Sequence, residues 1–386
     1  MRPTPSDSRS LSPSSTNPNQ AVQSTDLDAL LSRHSASTLS YLSDPYTTYF
    51  LPPSIRRAGP SGWRRPVLIH LGTHARTWGV DRGVERFLFG GGRTEGEGRE
   101  GSGSGRGSGG EQVARSKLGR RGKRQVLSMG AGTDTRYWRM RDKWISEAAE
   151  GSRTLEGWEE VVNWVEVDFE EATSAKAKIV ATKKELKDGV GHSLKIEKGG
   201  LALSSKAYKL IPGDLRNLTT SLGPYLLSSD PFPTRSEPLL DPTLPTLLLA
   251  ECVLVYLPAE STTDLLRWFS STFREAGGSC ISYDPFNFED AFGKVMIRNL
   301  ATRNLVLPAA SSTPTLESLN TRLKENGFAQ AESRTIEQIR RDVIPQEEIQ
   351  RVNKLEQIDE VEELNLVLGH YAITMGNVRG DEGVGF

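Results

Sequence analysis

The chain has 386 residues, of which 36% are hydrophobic, and its formal net charge is −1. This length allows one large domain or two, and the near-zero charge gives no global field that would favour nucleic acid or an anionic membrane surface. The most apolar stretch, Leu247 to Leu257, is too short to cross a bilayer, and the N-terminus has no hydrophobic signal segment. We therefore expect a soluble cytoplasmic protein with no membrane contact.

The two cysteines and five histidines give no indication of a disulfide or a metal site. Cys252 and Cys280 lie in apolar, strand-like runs, which is typical of buried thiols in a reducing compartment. The histidines have no metal-ligand spacing relative to each other or to the cysteines. The sequence predicts that no metal takes part in function.

Two segments have low-complexity compositions. Residues 1–23 are rich in Ser, Pro and Asn and are predicted to be a disordered tail, with the folded domain spanning 24–386. Residues 90–122 consist mainly of Gly, Arg, Glu and Ser and are predicted to be a flexible insertion. The run from Arg115 to Arg124 has six basic residues in ten, which is compatible with nuclear import, nucleic-acid binding or a solvated loop. No aromatic residues alternate with the basic ones, so a solvated loop is the favoured interpretation.

The remaining sequence predicts helices followed by alternating strands and helices. Thr25 or Asp26 is a suitable N-cap for a first helix that ends at Asp44-Pro45, and a second helical piece runs from Trp63 to Phe87. The clearest later helix spans Ser261 to Glu275, with Gly277 as its C-cap. Apolar runs predict strands at 125–129, 163–168, 206–211, 246–252, 279–283, 327–334 and 369–374. This alternation is typical of an α/β fold with a doubly wound, mostly parallel seven-stranded sheet and extra helices.

The segment QVLSMGAGTDTRYW, residues 125–138, predicts a strand, a tight glycine turn and the start of a helix. Gly130 and Gly132 would let a ligand approach the backbone without meeting a Cβ atom. Such turns lie at the carboxyl end of a strand, where open α/β sheets bind their ligands. Thr135 replaces the third glycine of the dinucleotide fingerprint, so the pattern favours a nucleoside-like ligand over a pyrophosphate. The alternative is a strand–turn–helix connection that binds nothing.

Three acidic residues follow or end predicted strands. Asp168 is placed to bind ribose hydroxyls, although it lies 36 residues after Gly132, and the alternative is a helix N-cap. Asp214 can read the edge of an adenine, or can cap the Pro212-Gly213-Asp214 turn. Glu251 stands in an otherwise fully apolar run, where a carboxylate must be paired. It therefore faces either a cationic ligand or a structural ion pair.

Two arginines and a tyrosine complete the candidate site. Arg33 and Arg76 precede the sheet, and either could hold a carboxylate of a cofactor or substrate in a bidentate pair. The alternative for both is an exposed surface arginine. Tyr256 closes the apolar run that contains Glu251 and is a candidate either for the lining of a reaction centre or for ordinary core.

The set as a whole resembles the leucine carboxyl methyltransferase family. The matching segments occur in the family's order, and GAGTDTRYWR and AECVLVY are the most specific of them. The others are YLSDPYTTYF, VEVDF, GDLRNL, DAFGKVMIRNL and the closing HYAI strand. The resemblance implies a class I S-adenosylmethionine-dependent methyltransferase that esterifies the C-terminal leucine carboxylate of the protein phosphatase 2A catalytic subunit. It also implies a monomer that grips the folded phosphatase through helices in 25–85 and 285–325.

The resemblance also implies roles for individual residues. The methionine part of the cofactor would contact Gly130 and Gly132, its ribose Asp168, its adenine Asp214 and Leu215, and its sulfonium and amino group Glu251. Arg76 corresponds to the family's arginine that handles a carboxylate at the reaction centre, and Tyr256 would line that centre. Arg33 would also contact the cofactor, but many members have lysine at this position. The insertion at 90–122 is another departure, since the family has a short connection there.

Three rival interpretations remain. The first is a tRNA-modifying relative that methylates wybutosine precursors; those proteins carry a long C-terminal repeat domain, whereas this sequence stops at Phe386. The second is a catalytically silent protein that only binds the phosphatase, against which the retained glycines and acids argue. The third is a nicotinamide oxidoreductase, which the missing third glycine and the lack of a hydride-site histidine or tyrosine–lysine pair disfavour.

Overall fold

The computed structural model describes residues 18–90, 122–147, 155–228, 237–380 and 383–386. Residues 1–17, most of the predicted tail, and residues 91–121, most of the predicted insertion and basic run, lie outside the described part of the chain. The first helices are α1 (Pro18–Thr38), α2 (Thr47–Phe50), α3 (Pro53–Ala58), α4 (Pro60–Trp63) and α5 (Val67–Phe89). These helices precede the first strand, as the sequence predicted.

The first helix is longer than the sequence predicted. It begins at Pro18 and not at Thr25 or Asp26, so residues 18–23 of the predicted disordered tail are helical. Ala21, Leu30, Leu31 and Ala36 are buried along α1. The few apolar side chains before Leu27 explain why composition alone assigned this first part of the helix to a tail.

A nine-stranded sheet forms the centre of the molecule. Its strands are β1 (Arg124–Met129), β2 (Val162–Asp168), β3 (Lys195–Glu197), β4 (Ala202–Ser204), β5 (Tyr208–Pro212), β6 (Thr246–Glu251), β7 (Gly278–Pro285), β8 (Gln330–Thr335) and β9 (Tyr371–Asn377). The spatial order is β3-β4-β5-β2-β1-β6-β7-β9-β8. The five central strands, β5 to β7 in this order, pair in parallel, whereas β3, β4, β8 and β9 pair antiparallel.

The doubly wound, mostly parallel α/β fold predicted from the sequence is confirmed. All seven predicted strands are present, with bounds within three residues of the prediction. The predicted number of strands is too small, because a short hairpin of β3 and β4 extends the sheet beyond β5. These strands have three residues each; Lys195 and Ile196 of β3 are exposed, and β4 has only two buried residues in a row, Ala202 and Leu203, which is too short a run to predict a strand.

Helices cover both faces of the sheet. They are α6 (Arg136–Ser146), α7 (Leu155–Val161), α8 (Glu170–Thr182), α9 (Lys184–Val190), α10 (Gly223–Leu227), α11 (Ala259–Thr272), α12 (Ala291–Ala301), α13 (Leu316–Lys324), α14 (Ile336–Gln338), α15 (Gln346–Asn353) and α16 (Val361–Gly369). Helix α11 overlaps the predicted helix from Ser261 but ends at Thr272 with Phe273 as its C-cap, so the predicted C-cap at Gly277 is wrong; Gly277 lies four residues further on, at a φ of +92°. No helix in the described ranges is long and apolar enough to cross a membrane.

Two hydrophobic clusters lie on opposite faces of the sheet. Val126 of β1 packs in a cluster with Leu71 of α5 and Trp138 of α6, whereas Leu127 packs in another with Phe269 of α11. Successive strand residues therefore point to opposite layers. This burial on both faces fixes β1 in the middle of the sheet, and the carboxyl end of β1 carries the glycine turn.

Candidate functional site

The glycine turn directly follows β1. Gly130 and Gly132 have φ angles of +61° and +43°, a region that glycine occupies without steric cost. A Cβ built on Gly130 would lie 2.5 Å from Cγ2 of Val253, and one on Gly132 would lie 2.3 Å from Oδ1 of Asp26. The side chains of Val253 and Asp26 therefore lie so close to this backbone that a larger residue would displace them and adopt a disfavoured φ.

Asp168 ends β2 and binds the glycine turn. Its Oδ2 accepts a hydrogen bond of 2.7 Å from the Gly132 amide, and its Oδ1 accepts one of 2.7 Å from the Phe169 amide. Burial raises the pKa of this carboxyl, and the two amide donors act in the opposite direction. Phe169, and not Asp168, is the N-cap of α8, so the helix-cap alternative is wrong.

Glu251 ends β6 and is held by two arginines. Its Oε2 accepts a hydrogen bond of 2.8 Å from Nε of Arg76, and its Oε1 lies 2.7 Å from Nη1 of Arg136. Burial alone would raise the pKa of Glu251, but Arg136 and Arg76 outweigh it and hold the pKa below its usual value. The structural ion pair of the two alternatives is therefore present, and it lies beside the glycine turn; a cationic ligand at Glu251 stays a prediction.

Arg76 is not the exposed surface arginine of the alternative interpretation. Its guanidinium lies over the ring of Tyr283, 4.2 Å from the ring centre, and its side chain is 25% exposed. In the described part of the chain, its two Nη groups make no hydrogen bond, while Nε is fixed by Glu251. The terminal guanidinium nitrogens are therefore free to bind a carboxylate.

Arg136, the first residue of α6, is a site residue that the sequence analysis missed. It is 2% exposed and pairs with Asp134 at 2.5 Å and with Asp81 of α5 at 2.6 Å, in addition to Glu251. A basic residue at a helix N-terminus opposes the helix dipole. The unfavourable position of Arg136 in the segment TDTRYW could have indicated from the sequence that acidic side chains surround this arginine.

Helix α1 contacts the residue after the glycine turn through two side chains. Arg33 donates from Nη2 to the Thr133 carbonyl oxygen at 2.8 Å and to Thr133 Oγ1 at 3.0 Å. Asp26 accepts at Oδ1 from the Thr133 amide and from Thr133 Oγ1, both at 2.8 Å. Arg33 therefore lies at the site and is not a surface residue, whereas Asp26 was seen in the sequence only as a possible cap.

Asp214 and Leu215 follow β5, beside the end of β2. The Gly213 amide donates to the Asp168 carbonyl oxygen at 2.9 Å, which joins the two strand ends. Asp214 caps the short helical turn Leu215–Asn217 and accepts hydrogen bonds from Arg216, which lower its pKa. The capping alternative is therefore present, and Leu215 packs in the hydrophobic cluster below.

Cys252 and Tyr256 follow β6, directly after Glu251 in the chain. Tyr256 is half-buried against a small cluster that contains Val255 and Phe288, so it combines core packing with partial exposure. Cys252 has a φ of +54°, an unusual conformation for a residue other than glycine. Burial raises the pKa of the Cys252 thiol to about 12, so the thiol stays protonated at neutral pH and is a poor nucleophile.

A cleft of about 750 Å³ lies between α5 and α15, next to Asp81 and Arg139, which also belong to the charged network around Arg136. Its lining includes His74, Trp78, Arg139 and Glu348, and it includes none of the nine residues predicted for the site. The glycine turn, by contrast, lies beneath α1. The cleft and the predicted site residues therefore occupy different places in the structure.

Comparisons with known proteins identify the family of the chain. Residues 104–270 match the family model described as leucine carboxyl methyltransferase. Leucine carboxyl methyltransferase 1 of Cryptococcus neoformans is 36% identical over 376 positions, covering 92% of this chain and 92% of that protein. The Aspergillus fumigatus protein of the same name is 34% identical over 380 positions, covering 94% of this chain and 83% of that protein.

Solved structures give a more distant likeness. A putative methyltransferase from Thermobifida fusca superposes with a TM-score of 0.37 at 13% identity, covering 65% of this chain and 72% of that one. The family assignment is based on the two fungal relatives, whose similarity extends over nearly the whole chain. The family predicted from the sequence is thereby confirmed: the chain belongs to the leucine carboxyl methyltransferase family and is a carboxyl methyltransferase.

Proposed function

We propose that this enzyme transfers the methyl group of S-adenosylmethionine to the C-terminal leucine carboxylate of the protein phosphatase 2A catalytic subunit. The products would be a methyl ester and S-adenosylhomocysteine. Membership of the leucine carboxyl methyltransferase family supports a carboxylate as the methyl acceptor. Family membership does not name the substrate protein or the cofactor, so the phosphatase and S-adenosylmethionine are what we propose here.

The proposal is supported mainly by the contacts of the Arg76 guanidinium. Its Nε is fixed by Glu251, its plane lies on Tyr283, and its Nη groups are free of hydrogen bonds within the described residues. A guanidinium held in this way binds a carboxylate through two parallel hydrogen bonds. It would therefore orient the terminal carboxylate of a substrate at the edge of the sheet.

The chemistry needs orientation more than proton transfer. A carboxylate is already ionised at neutral pH, so it requires no general base to act as a nucleophile. Catalysis then comes from alignment of the carboxylate oxygen and from a dry site of suitable charge. Glu251 and Arg136 would keep Arg76 in place, and Tyr256 would line the same centre.

The residues at the turn fit a nucleoside cofactor that carries an amino acid. Asp168 lies at the end of β2, where an acid can bind ribose hydroxyls, and its carboxylate contacts the Gly132 amide of the turn. Asp214 and Leu215 would flank the adenine, and Arg33 would hold the methionine carboxylate. When bound, S-adenosylmethionine supplies an electrophilic methyl group attached to sulfur.

The test is methyl transfer from labelled S-adenosylmethionine to the purified phosphatase catalytic subunit. We expect label on the intact subunit and none on a matched subunit that lacks its terminal leucine. Equal labelling of both subunits would place the methyl group elsewhere and contradict the proposal. Labelling of total tRNA in place of the phosphatase would support the tRNA-modifying relative.

We further propose that the enzyme grips the folded phosphatase and not only its tail. Apolar side chains are exposed on α1 and around α12, on the segments that the family resemblance assigned to docking: Leu27, Val295 and Val306. Exposed apolar side chains contribute to protein interfaces when a partner covers them. We expect the whole subunit to be methylated with a higher kcat/KM than a peptide of its C-terminal residues; equal values would remove the need for docking.

A further inference from the structure

The acidic side chains around the glycine turn differ in the partners that their carboxylate oxygens bind. Both oxygens of Glu251 contact guanidinium groups, and Asp134 pairs with Arg136 and Arg33. Asp168 uses its two oxygens on backbone amides. Glu251, which the family resemblance placed near the cofactor's amino group, is therefore already neutralised by two cations.

Asp26 is the exception among these acids. Its Oδ1 accepts two hydrogen bonds from Thr133, but its Oδ2 has no hydrogen bond or ion pair within the described part of the chain. The carboxylate is half-buried and lies against Gly132, since a Cβ on that glycine would be 2.3 Å from Oδ1. A partly buried carboxylate with one unused oxygen is a site for a cation.

Asp26 and Arg33 form a complementary pair on one face of α1. They are separated by seven residues, about two helical turns, and so point in the same direction. Both contact the same atom, Thr133 Oγ1, Asp26 at 2.8 Å and Arg33 at 3.0 Å. A carboxylate and a guanidinium converge there on one point beside the glycine backbone.

The ligand that matches this pair is an α-amino acid group, which carries an ammonium and a carboxylate on one carbon. S-adenosylmethionine ends in such a group, and its sulfonium adds a further positive charge. Carboxylates also outnumber cationic side chains in the connected network at the turn. The acids are Asp26, Asp44, Asp81, Asp134, Glu166, Asp168 and Glu251, and the cations are Arg33, Arg76, Arg136, Arg139 and Lys176.

We propose that Asp26 is a cofactor-binding residue whose Oδ2 accepts a hydrogen bond from the α-ammonium of S-adenosylmethionine, with Arg33 taking the adjacent carboxylate. This inference depends on the proposed cofactor and adds a second ligand from helix α1 beside Arg33. Specificity for an amino-acid-bearing nucleoside then comes partly from residues that precede the sheet.

The test compares Asp26→Asn with the wild type by calorimetric titration of S-adenosylhomocysteine and of its analogue without the α-amino group. Loss of a hydrogen bond between charged groups weakens binding by roughly 10-fold to 100-fold. We expect this loss for Asp26→Asn with S-adenosylhomocysteine. The deamino analogue should bind weakly to the wild type and no more weakly to the variant.

Asp28→Asn is the matched control, because Asp28 lies on the same helix and pairs instead with Arg303. It should bind S-adenosylhomocysteine like the wild type. If Asp26→Asn binds S-adenosylhomocysteine as tightly as the wild type or more tightly, then Asp26 does not hold the ammonium and the inference is wrong. If the wild type binds no S-adenosylhomocysteine at all, the cofactor assignment itself fails, which is a different result.

Discussion

At the scale of single residues, Glu251 keeps a negative charge in the interior because two guanidinium groups contact its carboxylate. A buried acid without partners would take up a proton, whereas Arg136 and Arg76 lower the pKa of Glu251. Arg136 has three acidic partners and is almost fully buried, while Arg76 keeps partial exposure. The two arginines therefore differ: Arg136 is paired on several sides within the network, whereas Arg76 is partly exposed and is the one that we propose contacts the substrate.

Replacement of Arg76 tests this difference. We expect Arg76→Ala to lower kcat by about 100-fold or more, as loss of a single positioned donor does, while the dissociation constant of S-adenosylhomocysteine changes much less. Glu251 would still be neutralised by Arg136, so the variant should fold. Steady-state methyl transfer and calorimetric binding are measured on the same preparation.

Arg76→Lys separates charge from geometry. Lysine keeps the positive charge but cannot form two parallel hydrogen bonds with a carboxylate, so we expect it to recover only part of the lost turnover. If Arg76→Ala reduces cofactor affinity and turnover by the same factor, Arg76 is a cofactor ligand only. That outcome would remove its proposed role in substrate alignment.

The sequence predicted that residues such as Glu251 need partners, but not which ones. Burial of an acid in an apolar run is readable from the sequence. The partners lie far away in the chain, since Arg76 precedes Glu251 by 175 residues. Only the fold brings α5 and the end of β6 together. From composition alone Arg76 could equally be a surface residue, and Arg136 was missed.

At the scale of elements, the glycine turn connects β1 to α6 and receives side chains from three other parts of the chain. Val253, Asp26 and Asp168 all approach its backbone. The turn thus links the sheet, the segment after β6 and the N-terminal helix. A change of backbone there should disturb all three contacts together.

We predict that Gly132→Ala abolishes measurable cofactor binding, because its Cβ would push Asp26 away and the φ of +43° disfavours alanine. Gly199→Ala is the control, since Gly199 has a φ of +67° and a Cβ there would meet nothing within 4 Å. The control should lose about 1 kcal/mol of unfolding free energy and keep its affinity for S-adenosylhomocysteine. Normal binding by Gly132→Ala would show that the turn is not the cofactor site.

Elements were predictable where their sequence has a strong hydrophobic pattern. The run from Leu247 to Ala250 in β6 is buried on both faces, and its strand was predicted to within one residue at each end. The β3–β4 hairpin has no such run, and its pairing depends on the edge of β5. The start of α1 was missed for a related reason, because tertiary contacts such as Ala21 stabilise it more than local composition does.

At the scale of the whole molecule, folding places the Asp284 carboxyl in an environment that disfavours its charge, and the pH dependence of stability can report this. Asp284 of β7 is buried, accepts a hydrogen bond from the Val255 amide and lies 3.3 Å from Arg322. Burial raises its pKa to about 6, because Arg322 and the amide only partly offset the loss of solvation. The folded state therefore favours the protonated form of this group.

This raised pKa predicts a pH dependence of stability. Below about pH 4 Asp284 is protonated in both the folded and the unfolded chain, and its ionisation costs the folded state nothing. As the pH rises from about 4 to 6, only the unfolded chain loses this proton, so the free energy of unfolding decreases. We expect Asp284→Asn to gain about 3 kcal/mol of unfolding free energy relative to the wild type over this window. Denaturant unfolding of both proteins at pH 4 and pH 7 measures the difference; an equal change in both would contradict the shifted pKa.

The overall architecture and the family were predictable because both depend on local patterns in the chain: strand runs, a glycine turn and short family segments. The contacts that α1 makes with the glycine turn were not predictable from local patterns, since they depend on α1 lying over the carboxyl end of β1. Asp26 and Arg33 meet Thr133 across about one hundred residues of sequence. No spacing rule connects positions that far apart.

The central claim is that the edge of the sheet at Gly130 and Gly132 binds S-adenosylmethionine. A crystal structure of the full chain with S-adenosylhomocysteine tests it most directly. We predict that the ligand lies against the glycine turn, with its ribose at Asp168 and its amino acid end between Arg33 and Asp26. Ligand density at another place, such as the cleft beside His74, or none at a saturating concentration, would contradict the account.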